Sequence, residues 1–135
     1  MKRFITIKGD IIFKKHSSKS WELIVKIKPE DVVPFYMELQ LLASKLSSTL
    51  TVSPLNSAMS IKIMLMCESV ESRISFKNKK YELELNYNDF EAISMFILKY
   101  YQNTYAPVSH LHINLDKDDD IKGNGELVIL ASTSA

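Results

Sequence analysis

Residues 21–28, WELIVKIK, alternate: Trp21, Leu23, Val25 and Ile27 fall on one side, Glu22, Lys26 and Lys28 on the other, and Ile24 is the one apolar residue among the second set. A period of two belongs to an extended chain with one buried face, so the stretch predicts a half-buried antiparallel strand. Residues 3–8 are short and β-branched and predict a strand ending at Gly9-Asp10, with Ile11–Phe13 continuing or returning it. KKHSSKS, 14–20, reads as a polar, basic loop. The period then changes. Phe35, Leu39, Leu42 and Leu46 recur at helical spacing, and Pro34 is tolerated only near a helix start, so a helix is predicted from 34 to 46 after a turn at 29–33. Residues 47–57 read as loop, with a short extended piece at 50–53.

Further strands are predicted over 58–66 and, as a pair around Asn78-Lys79-Lys80, over 73–86, with Tyr81, Leu83 and Leu85 opposite Glu82 and Glu84. Asn88 with Glu91 three residues on has the form of a capping box. Phe90, Ile93, Phe96, Ile97 and Tyr100 then make the buried stripe of a helix ending near Gln102. HLHINL, 110–115, and ELVILA, 126–131, are the last predicted strands. This order predicts an α+β fold, a mainly antiparallel sheet with two amphipathic helices packed on one face. There is an internal echo. ELIVKIKPEDVVPFYMELQLL and YELELNYNDFEAISMFILKYY each run strand, aspartate-bearing turn, amphipathic helix, with Asp31 and Asp89 in similar places. Duplication and a packing preference common to βα units account for it equally well.

Composition narrows the classes. A chain of 135 residues is expected to form a single domain, spanning 1–135, and can bury about two-thirds of its unfolded surface without metals or disulfides. The net charge of +1 argues against a broad basic face for nucleic acid. Cys67 is the one cysteine, which leaves no intrachain disulfide and no thiolate cluster. No apolar leader is visible at the N-terminus, and no run approaches the roughly 18 apolar residues of a membrane span, so the expected address is the cytoplasm.

The candidate chemistry lies in SHLHINLDKDDD, 109–120. On a strand, His110, His112, Asn114 and Asp116 project together while Leu111, Ile113 and Leu115 face the core. Histidines at i and i+2 can share a zinc ion, but a catalytic site takes three protein ligands. His16 belongs to the loop expected at 14–20, and Asp116 would need a bend, so no metal and no cofactor is expected. Asp116, Asp118 and Asp120 open like an EF-hand loop, yet Ile121 stands where glycine is needed and Leu127 where a bidentate glutamate is needed. The acidic loop is then either a solvated surface or a docking site for a basic partner. Phosphate-loop and nucleophile-elbow motifs are absent from the sequence, so no catalytic residue is assigned.

A strand, an asparagine-led helix, His110-x-His112 on a further strand, a polar loop and the closing ELVIL together resemble small immunity proteins of bacterial polymorphic-toxin and contact-dependent growth-inhibition systems, over about residues 80–131. The chain has NYNDFEA where a glycine is often seen near the start of that helix, and residues before 80 add no motif of the group. The resemblance implies a cytoplasmic protein, monomeric or weakly dimeric, that binds one cognate toxin domain, often a nuclease, without catalysis of its own. It implies no direct contact with nucleic acid or membrane. His110, His112, Asn114, Asp116, Asp118, Asp119 and Asp120 are the expected partner-binding residues, complementary charge giving fast and selective capture. Two competing expectations are a small metal-dependent enzyme using His110 and His112, and a scaffolding subunit that pairs through its sheet.

Overall fold

The computed structural model describes residues 2–17, 20–55, 57–65, 71–77, 80–102, 108–117 and 124–132. Within them lie nine strands and two α-helices: β1 (Lys2–Ile7), β2 (Asp10–Ser17), β3 (Ser20–Ile27), α1 (Val32–Ala43), β4 (Thr49–Pro54), β5 (Ser60–Leu65), β6 (Arg73–Lys77), β7 (Lys80–Leu85), α2 (Tyr87–Gln102), β8 (Val108–Lys117) and β9 (Asn124–Ser132). The α+β class follows from the two periods in the sequence. The strands hydrogen-bond in the order β1-β4-β5-β7-β6-β8-β9-β3-β2. Among the described residues, β6 and β8 pair only at Arg73 with Asp116 and Ile74 with Lys117, at the join between two sheets.

The sheets are mixed rather than mainly antiparallel. Pairs adjacent in sequence, β2·β3, β4·β5, β6·β7 and β8·β9, are antiparallel. Those that join one hairpin to another, β5·β7, β6·β8 and β3·β9, are parallel, as is β1·β4. A period of two reports a half-buried face and carries no information on strand direction.

The internal echo extends to the topology. β2-β3-α1-β4-β5 and β6-β7-α2-β8-β9 are the same ββαββ unit, and the last strand of each pairs in parallel with the second strand of the other, β5 with β7 and β9 with β3. The buried helix positions correspond, 32, 35, 39 and 42 against 90, 93, 97 and 100. Phe35 and Leu39 of α1 and Ile93 of α2 meet Val25, Val52, Ile61, Leu83 and Leu127 from five strands in one apolar interior.

Each unit is locked by its aspartate. Asp31 is 4% exposed, and its carboxylate accepts the backbone N–H groups of Lys8 (2.7 Å), Gly9 (2.9 Å) and Lys28 (3.0 Å). One side chain thus ties the β1–β2 turn, the end of β3 and the start of α1. Only glycine fits at position 9, since a Cβ there would stand 1.7 Å from the Lys26 carbonyl oxygen. In the second unit Asp89 acts through a hydroxyl: Ser72 donates to the Asp89 carboxylate at 2.6 Å and accepts the Asn86 N–H at 3.0 Å.

Several boundaries differ from expectation. The 14–20 stretch is not wholly loop, because β2 continues to Ser17; its polarity is that of an exposed edge strand. The first helix starts at Val32 and ends at Ala43, and Lys45 takes a left-handed φ of 63°, so Leu46 leaves the expected stripe and is 67% exposed. The cap of α2 is Asn86 rather than Asn88, its side chain accepting the Asp89 N–H at 2.7 Å. Cys67 lies outside the described residues.

Phe13 of β2 stacks on Trp21 (5.5 Å between ring centroids) and on Tyr81 of β7 (6.0 Å), whose other neighbour is Phe76 (4.5 Å). Strands at the end and in the middle of the pairing order therefore touch. Burial pushes the phenols of Tyr81 and Tyr100 above their usual range.

Replacing Asp31 with alanine is expected to cost about 3–4 kcal/mol in urea denaturation, since three backbone N–H groups lose a charged acceptor, and Asp89→Ala about 1–2 kcal/mol. Equal stability of Asp31→Ala and wild type would remove the lock. Because the tyrosine pKa values are raised by folding, their contribution is full below the unfolded value of about 10 and is lost as pH rises through the folded values. Stability measured from pH 8 to 11 should fall less steeply in a Tyr81→Phe/Tyr100→Phe variant.

Candidate functional site

β8 is extended as expected, and its alternation holds: His110, His112 and Asn114 are exposed, while Ile113 and Leu115 are 4% and 8% exposed. Asp116 pairs through its backbone with Arg73 at the end of this strand. Asp118, Asp119 and Asp120 lie outside the described residues, so the acidic half of the expected surface has no geometry to report.

The registers of β8·β9, β9·β3 and β3·β2 build the outer face in rows. One row is His110, Leu130, Lys26 and Asp10; the next is His112, Val128, Ile24 and Ile12; the third is Asn114, Glu126, Glu22 and Lys14. The middle row is largely apolar, and Val128 within it is buried. An apolar strip framed by ionisable side chains is a common composition for a binding surface.

Two histidine–carboxylate contacts flank the third row. His112 Nδ1 lies 2.9 Å from Glu126 Oε2, and His16 Nε2 contacts Glu22 Oε1. The two glutamates are directly opposed in the parallel register. Donor atoms of Glu22, His112 and Glu126 all lie within 4.8 Å of one another. His110 is brought to its neighbour differently, its ring stacking on His112 at 6.1 Å between centroids.

His16 therefore does not sit in a remote loop, and Glu22 and Glu126 join the site although the sequence pattern did not select them. Half the signal was available: alternation placed Glu22 on the outer face of its strand. The missing half was the parallel pairing that sets it beside Glu126. Asp89 and Glu84 are engaged elsewhere, by Ser72 (2.6 Å) and Arg73 (3.0 Å).

No protein-family model matches the chain, and a search of curated proteins finds no match. None of the described helices is long and apolar enough to cross a membrane.

The two faces of β8 should respond differently to truncation. His112→Ala is expected to change unfolding free energy by less than about 1 kcal/mol, as an exposed pair contributes little. Ile113→Ala should cost roughly 2–4 kcal/mol through lost burial and a cavity. Comparable losses in chemical denaturation would mean that the histidine face is structural.

Proposed function

We propose that the chain is a protein-binding domain without catalysis of its own, and specifically an immunity protein that neutralises a cognate toxin domain through the outer face and free edge of β8. The observation that carries this reading is a difference between the two ββαββ units. In the first, β1 pairs in parallel along all of β4, from Lys2 with Thr49 to Ile7 with Pro54. In the second, the equivalent edge of β8 meets β6 only at Asp116 and Lys117, so among the described residues no strand pairs with that edge from Val108 to Leu115.

An open strand edge presents unpaired N–H and C=O groups and is a template for strand addition by a partner. The residues that would flank an added strand are His110, His112 and Asn114, which supply side-chain contacts beside the backbone ones. Among the described residues, the space between helices and sheets is lined by Val25, Phe35, Leu83, Ile93 and other apolar side chains.

The test is co-expression with the toxic domain encoded by the adjoining gene. Cells should be protected, and the purified proteins should form a one-to-one complex. The His110→Ala/His112→Ala/Asn114→Ala variant should weaken that complex by at least about tenfold, a loss of roughly 1.4 kcal/mol, with its melting temperature unchanged. Absence of both protection and complex, or full affinity in the triple variant, would overturn the proposal.

A further inference from the structure

We propose that His16, Glu22, Glu126 and His112 bind one divalent transition-metal ion, of the zinc class, on the outer face of β2-β3-β9-β8. Four neighbouring strands each deliver one donor, in the spatial order His16 on β2, Glu22 on β3, Glu126 on β9 and His112 on β8. Three of the groups already place donor atoms within 4.8 Å of one another. The fourth, His16, contacts the Glu22 carboxylate and stands outside that group of three, so it completes the set by turning toward the ion.

Two features of the backbone serve this arrangement. The β2·β3 register shifts between Lys15 and Ser17, at His16 itself, and such irregularities re-aim a side chain. The parallel β3·β9 register sets Glu22 directly against Glu126, and like charges opposed across strands are destabilising on their own. A divalent cation between them reverses the sign of that interaction.

The donor set selects the class of ion. Two imidazoles and two carboxylates suit zinc, cobalt or nickel, whereas magnesium and calcium prefer oxygen alone. Zinc takes four such donors at about 2.0–2.2 Å. The four side chains are between 23% and 54% exposed, so rotamer adjustment can draw them onto the ion without disturbing the core. The two carboxylates balance the ion's charge. His110 is excluded from the set, which distinguishes this site from a His110–His112 pair. The site shares His112 with the proposed partner surface but does not rest on that proposal.

The experiment is calorimetric titration of the untagged, metal-free full chain with zinc, alongside cobalt titration followed by visible absorption. One ion per chain is expected, with the intense d–d bands of a tetrahedral cobalt centre. His112→Ala and Glu22→Gln should each weaken zinc binding by at least about tenfold, and His16→Ala should weaken it as well. His110→Ala should leave it unchanged. Circular dichroism of every variant establishes that it is folded. No saturable zinc binding by the wild type, binding unaffected by His112→Ala and Glu22→Gln, or loss on His110→Ala would overturn the proposal. In the first case the two carboxylates are held by their contacts with the imidazoles alone.

Discussion

The parallel ladder between β3 and β9 is the pairing on which the other features depend. It runs over eight residue pairs, Ser20 with Asn124 through Ile27 with Ala131, and joins a strand near the start of the chain to one near its end. Closing so long a loop has an entropic cost that local hairpins avoid. The inner face offsets it, because Leu23 lies against Leu127 and Val25 against Ile129, all buried. Gly125 leaves room for the Trp21 ring, whose carbons occupy the place a Cβ would take, 2.0 Å away. The same ladder that completes the core brings Glu22 beside Glu126 outside.

The two ββαββ units solve one problem with different chemistry. Each must fix the turn before its first strand against the entrance to its helix. Asp31 does so directly with three backbone N–H groups, and Asp89 does so through the Ser72 hydroxyl. A buried carboxylate is tolerable there because its oxygens are met by hydrogen-bond donors. The units differ most at their free edges, where β1 covers β4 and the corresponding length of β8 has no strand partner among the described residues. Exposed histidines and paired carboxylates meet in that second unit and its junction with β3.

Much of the fold was legible in the sequence. Both helices, the half-buried strand at 21–28, the hairpin around residue 78 and the extended 110–115 segment follow from local period and capping residues, since side-chain direction repeats with backbone geometry. The helix boundaries were less so: a left-handed Lys45 ended α1 early, and Asn86 outcompeted Asn88 as the cap because Ser72 also binds there. Neither choice is local. KKHS was misread for a related reason, as an edge strand carries the polarity of a loop.

By itself, the chain's pattern determined which residues of each element face inward and that His110, His112 and Asn114 share an accessible side. Those are properties of one strand or one helix. Which strands run parallel, and hence which side chains meet across them, was decided only by the tertiary structure. Glu22 and Glu126 lie far apart in sequence, and their approach is set by a register that the whole hydrophobic interior selects. The approach of His112, Glu126 and Glu22 is therefore visible only once the sheets have closed.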